Sequence, residues 1–178
     1  MIFVTVGNAT QPFSRLINAM IALRTSGAID EQLVIQHGYT PPPDWSEPMF
    51  AFMKNELFEE HIRRASVIVA HAGCGTLMSC IRAGKMPVAV PRLRAFGEHV
   101  NDHQLQLADG LAEQQRVIVC RDLDRLAESI SRARGMKQTQ PLLPSKLPEL
   151  VSAAVESLID AARRESSRSS PRERAKRS

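Results

Sequence analysis

Two stretches carry the residue types that chemistry needs. An apolar run at 66–70 leads into His71-Ala72-Gly73-Cys74-Gly75-Thr76, and a second run reads Gly97-Glu98-His99-Val100-Asn101-Asp102-His103-Gln104. A strand that ends in a glycine-rich turn and opens a helix is built to hold phosphate. Glycines let the backbone approach an anion closely, and the free N–H groups of a helix start, with the Thr76 hydroxyl beside them, can donate to its oxygens. The 98–104 stretch clusters polar side chains on one loop.

The histidines carry different weight. His71 sits at the turn, where it can donate to phosphate, act as a base or pack the turn against the sheet. His103 is similar, His37 and His99 have weaker cases, and His61 on a polar helix is expected to be solvated. A His71/Cys74 nucleophilic pair lacks a third, orienting group. Asp122-Leu123-Asp124 imitates a D-x-D metal motif, but it follows a strand and starts a helix, so Asp122 reads as a cap and Asp124 as a dipole partner. No metal site is expected. Cys74, Cys80 and Cys120 show no C-x-x-C spacing and are odd in number, which predicts reduced, mostly buried thiols.

Apolar runs of strand length at 2–6, 32–36, 67–70, 88–90 and 117–120, with a weaker one at 49–53, alternate with helix-period segments. The helical patterns cover 13–23, 57–64, 76–83, 100–112 and 123–132. This β-α alternation predicts an α/β fold, a single Rossmann-like, doubly wound parallel sheet. In such sheets ligands bind beyond the carboxyl ends of the strands, so Gly7, His71 and the 92–104 loop are expected to converge on one edge.

Composition sets the frame. The chain has 178 residues, 43% hydrophobic but only 4% aromatic, as suits one core of aliphatic side chains. No stretch approaches a membrane span, and the opening Met1-Ile2-Phe3-Val4-Thr5-Val6 lacks the basic start of a secretion signal, which predicts a cytoplasmic protein. The net charge of +4 is misleading. Residues 163–178 hold seven Lys or Arg against two Glu, which leaves −1 for residues 1–162 and no case for nucleic acid. The organisation expected is a domain at 1–135, a proline-marked linker at 136–146, an amphipathic helix at 147–163 and a basic disordered tail at 164–178. The helix fits its own sheet or a partner's groove, and the tail fits solvent or anionic headgroups.

The turn at 71–76, Gly84-Lys85 with 88–92, Gly97-Glu98-His99 and Asp102-His103-Gln104 together resemble the C-terminal, nucleotide-sugar-binding domain of glycosyltransferase family 28. Ile2-Phe3-Val4-Thr5-Val6-Gly7 followed by Gln11-Pro12-Phe13 is similar to the start of its stand-alone members, the small subunits of two-part glycosyltransferases. These serve dolichol-linked oligosaccharide assembly in eukaryotes and exopolysaccharide or capsule synthesis in bacteria. The resemblance implies the C-terminal, donor half of a GT-B fold. It places Gly7, Asn8, Thr10, His71, Gly73, Gly75 and Thr76 at the donor diphosphate, and Glu98, Asp102, His103 and Gln104 at the sugar. Three departures stand out: Ser79 where many relatives hold the ribose with a glutamate, Asn8 in place of threonine, and Gly84-Lys85-Met86-Pro87 in place of Gly-Lys-Pro.

One domain leaves room for the donor half alone. The expected function is therefore a donor-binding subunit of an inverting UDP-sugar glycosyltransferase that acts with a membrane-associated, acceptor-binding partner. It would move a hexose-type sugar to a lipid-linked acceptor and stay peripheral to the membrane through that partner. No cofactor is implied beyond the UDP-sugar substrate, and the catalytic base is His71 or a group of the partner. The alternative is a nucleotide-sugar-binding regulatory or scaffolding subunit without turnover. A Rossmann oxidoreductase is disfavoured, because Gly7-Asn8-Ala9-Thr10-Gln11 lacks the spaced glycines a dinucleotide needs.

Overall fold

The computed structural model describes residues 1–136. The amphipathic segment at 147–163, the basic tail and all but the first residue of the linker lie outside the described residues. Six strands form one parallel sheet: β1 (Ile2–Thr5), β2 (Leu33–Gln36), β3 (Met49–Phe50), β4 (Val67–His71), β5 (Val88–Val90) and β6 (Ile118–Val119). Their spatial order is β3-β2-β1-β4-β5-β6, the doubly wound order expected of a Rossmann-like unit. β1 pairs with β2 from Ile2↔Leu33 to Thr5↔Gln36 and with β4 from Ile2↔Val67 to Thr5↔Ala70. The chain reverses its direction of winding between β1 and β4, and a crevice opens there beyond their carboxyl ends.

Side-chain alternation on the strands assigns the helices to faces. Ile2, Val4 and Val6 cluster with Leu16, Ile17 and Met20 of α1 (Ser14–Thr25) and with Leu126 and Ile130 of α5 (Leu126–Ala133). Phe3 points to the opposite face, where its ring lies 5.5 Å from Phe58 on α2 (Asn55–Arg64). α3 (Cys74–Arg82) buries Leu77, Cys80 and Ile81, and α4 (His103–Glu113) buries Ala108. His61 of α2 is not solvated as expected: it stacks on Phe3 at 5.4 Å, and both ring nitrogens are buried without hydrogen-bond partners. The polar sequence around it concealed an inward-facing position one turn beyond Phe58. Burial accordingly pushes its pKa down from the ordinary value.

Several elements begin where long-range contacts place them. α1 has no side-chain cap of its own; Thr40, on the loop after β2, accepts from the Phe13 N–H at 2.9 Å. α3 starts two residues before the expected Thr76, at Cys74, and α4 starts at His103 rather than 100. Asp122 does cap, with Oδ1 accepting from Asp124 N–H at 3.0 Å ahead of a short 3-10 turn (Leu123–Arg125).

Arg92, just past β5, has no exposed surface. Its guanidinium donates to the carbonyls of Gln11 at 2.7 Å, Glu98 at 3.0 Å and Val6 at 2.8 Å, and lies 4.8 Å above the Phe13 ring. Burial lowers its pKa to about 10, so it stays charged at neutral pH. It ties the β1 loop to the 92–104 loop. Arg92→Met fills similar space but leaves those carbonyls without a buried donor, and should cost about 3–5 kcal/mol in urea unfolding. A midpoint unchanged from wild type would show that water replaces the guanidinium at no cost.

Candidate functional site

A cleft of about 720 Å³ opens at the carboxyl ends of β1 and β4. One wall is the β1 loop, with Gly7 and Asn8; another is the turn and first face of α3, with His71, Gly73, Cys74, Gly75, Thr76, Ser79 and Arg82. The remaining wall comes from beyond β3, where Phe52, Met53, Asn55 and Phe58 supply aromatic and apolar surface. Its floor is braced by side chains that sequence reading passed over. Thr5 Oγ1 donates to Gln36 Oε1 at 2.5 Å, and Gln36 Nε2 donates to the Ala51 carbonyl at 3.0 Å, which joins β1 through β2 to the chain after β3.

His71 is the hinge of this arrangement. A Cβ on Gly7 or on Gly73 would fall well within 3.0 Å of the His71 ring, so the imidazole fills the gap that both glycines leave. Gly7 also has φ +73°, a conformation that L side chains rarely adopt. The ring is 8% exposed, and Nδ1 is buried without a well-formed hydrogen bond. Burial first, and the charge of Arg92 second, push its pKa down to about 4. The imidazole is neutral at physiological pH and adds no charge to the cleft.

Past His71 the chain turns tightly, with Gly73 N–H donating to the His71 carbonyl at 2.8 Å, and α3 begins. Gly73 is its N-cap and no side chain caps it, so the first-turn N–H groups have no side-chain acceptor, and the residues from Gly73 to Thr76 line the cleft. A Cβ built on Gly75 would meet nothing within 4 Å. Cys74 is exposed at this first turn, while Cys80 and Cys120 are buried, in keeping with the expectation of mostly buried thiols. Burial pushes the Cys80 thiol up to about 12.

Six of the expected binding residues therefore line the cleft: Gly7, Asn8, His71, Gly73, Gly75 and Thr76. Thr10, Glu98, Asp102, His103 and Gln104 do not. The last four lie on the same edge, and three of their side chains hold their own loop. Glu98 takes Arg15 in a two-pronged pair, both contacts 2.8 Å, and also accepts from Leu93 N–H at 3.0 Å. Asp102 Oδ1 accepts from Arg94 N–H at 3.0 Å, and Gln104 Oε1 from Arg92 N–H at 3.1 Å. His103 is exposed at the start of α4. Sequence reading missed Arg15, Arg82 and Arg92, although the spacing Thr76, Ser79, Arg82 is a helical face that could have shown the second of these.

The turn, its helix and the cleft fit one family. Residues 1–154 match the glycosyltransferase family 28 C-terminal domain. The chain belongs to that family. Its relatives include the UDP-N-acetylglucosamine transferase subunit ALG13 of Yarrowia lipolytica, 26% identical over 97 residues that cover 54% of this chain and 45% of that protein. The Homo sapiens protein of the same name is 28% identical over 157 residues, covering 81% of this chain and 13% of its own length. The chain thus spans less than half of either relative. Among solved structures, the glycotransferase of kitacinnamycin superposes with a TM-score of 0.58 at 16% identity, over 75% of this chain and 34% of that one. The calicheamicin glycosyltransferase CalG4 gives 0.55 at 15%, over 76% and 34%. Both likenesses concern the fold, in which this chain is the C-terminal half of a GT-B architecture.

The depressed His71 pKa makes the site acid-sensitive. Between pH 6.5 and 4 an unfolded His71 takes up a proton that the folded ring refuses, so stability falls as pH drops through that window, by about 3 kcal/mol in all. Urea midpoints measured from pH 7 to pH 4 should decline for wild type and decline less for His71→Asn. Equal slopes would remove His71 as the cause.

Proposed function

We propose that the chain is the donor-binding subunit of an inverting UDP-sugar glycosyltransferase, completed by a membrane-associated partner that holds a lipid-linked acceptor. The observation that carries this reading is the uncapped first turn of α3 opening onto the cleft beside Gly7 and Gly73. A diphosphate seated there meets aligned N–H donors and the positive end of a helix, and the aromatic wall at Phe52 and Phe58 suits a base. Family membership and the relatives' printed name support a nucleotide-sugar donor, and make UDP-N-acetylglucosamine the first to test.

In the reaction the acceptor oxygen attacks the anomeric carbon from the face opposite the diphosphate. The carbon–oxygen bond to phosphate breaks, UDP leaves with the electron pair, and a base takes the acceptor proton. Fixed N–H donors of α3 stabilise the leaving charge. His71 is a poor base, because its ring is wedged between glycines and burial pushes its pKa down to about 4. The base accordingly belongs to the partner. Exposed Phe96 and Val100 on the 92–104 loop offer that partner apolar surface. No cofactor enters this scheme, and a pathway of exopolysaccharide or glycolipid synthesis would supply the acceptor.

Gly75 separates binding from folding, since a side chain there meets open space. Gly75→Val should keep the wild-type unfolding midpoint and weaken UDP binding at least tenfold in calorimetric titration. Normal UDP binding by that variant would overturn the phosphate seat. Coexpression with the product of the neighbouring reading frame, followed by assay of a UDP-sugar panel on membrane lipid, tests transfer. A stable pair that binds UDP without transfer to a competent acceptor would favour a regulatory subunit.

A further inference from the structure

Among the described residues that line the cleft there is no Asp, Glu or Lys, and one Arg. His71 is held neutral by burial. The one arginine is Arg82, in the last turn of α3. It is exposed, and among the described residues it makes no hydrogen bond or ion pair. We propose that Arg82 is the charge-reading residue of the cleft, whose guanidinium neutralises the phosphates of the bound nucleotide. The inference rests on the reading of this cleft as a nucleotide-sugar site and names the side chain that selects for its charge.

Helix geometry brings the cation within reach. Thr76, Ser79 and Arg82 recur at intervals of three along the face of α3 that borders the cleft. Arg82 stands about 9 Å along the axis from Thr76. Long helical side chains lean back toward the helix start, over the residues three and four before them. In that orientation the Arg82 side chain extends over Ser79 toward the turn whose N–H groups have no side-chain cap. Ser79 matters by what it lacks: a carboxylate at this position would engage Arg82 as an i,i+3 pair and cancel its charge toward a ligand. With serine there, the positive charge remains available. A diphosphate carries more charge than one helix terminus offsets, and a single guanidinium facing into a cleft without carboxylates supplies a mobile counter-charge that also donates hydrogen bonds.

The competing role for Arg82 is a cation at the carboxyl end of α3, favourable to the helix dipole and indifferent to ligand. Calorimetric titration of the full chain with UDP, UMP and uridine, at low and at moderate salt, distinguishes them. Arg82→Gln should weaken UDP about tenfold, weaken UMP less, leave uridine unchanged and flatten the salt dependence of UDP binding. Arg82→Lys should recover part of the loss, and Arg82→Glu should deepen it. Unchanged UDP binding with a lowered unfolding midpoint would assign Arg82 to the helix dipole and overturn the proposal. An equal loss for uridine would place it on the nucleoside and overturn it as well. If wild type binds none of the three while remaining folded, the nucleotide reading itself fails. If wild type binds UDP and Arg82→Gln matches it, only the role of Arg82 fails.

Discussion

A guanidinium with no exposed surface sits where the loops of the sheet's carboxyl edge meet, and their geometry depends on it. Arg92 comes from the end of β5, yet its donors go to carbonyls at Val6 and Gln11 after β1 and at Glu98 in its own loop. A buried cation is tolerated only when its donors are used and a neighbour favours its charge. Three carbonyls, the Phe13 face and the nearby Glu98 carboxylate meet most of that demand, although Nε is left without a partner. Glu98 in turn is held by Arg15 from α1, so the charges interlock across elements far apart in sequence. Loops that would otherwise move independently are fixed relative to β1.

That fixed edge explains how a cleft can be polar and open without collapsing. Gly7 and Gly73 leave a slot, and the His71 ring occupies it so closely that neither position has room for a Cβ. The imidazole gives up solvation and most of its basicity in return for packing. A residue that looks catalytic in sequence is packed here between two glycines. It keeps the β1 loop and the α3 turn at the separation where backbone N–H groups can face one ligand.

The sheet was legible because its signals are local. Short aliphatic runs at 2–6, 32–36, 67–70 and 88–90 can only be buried strands when helix-period segments separate them, and the doubly wound order follows. The turn into α3 was legible for the same reason: its residues from His71 to Thr76 are consecutive in sequence. What escaped is long-range. Nothing near Arg92 in sequence shows that its partners are Val6 and Gln11, and nothing near Glu98 points to Arg15. Polar residues at 98–104 read as a ligand fork, yet Glu98, Asp102 and Gln104 accept from the backbone N–H groups of Leu93, Arg94 and Arg92. His61 escaped in the opposite direction, since a polar helix hid a ring stacked on Phe3.

These contacts divide the edge into a part that is already satisfied and a part that is not. Around 92–104, carboxylates and amides are matched to arginines and backbone donors, so that loop presents a preset shape. Around α3 the N–H groups lack a side-chain cap, Gly75 faces open space and Arg82 has no counter-ion among the described residues. Unmatched donors and an unmatched cation around a cleft that no carboxylate lines among the described residues suit an acceptor-rich, anionic complement. The nucleoside diphosphate we propose as ligand meets that description. On the proposed reading the 92–104 loop contributes rigidity rather than a base, because its carboxylates and amides are already taken by arginines and backbone donors.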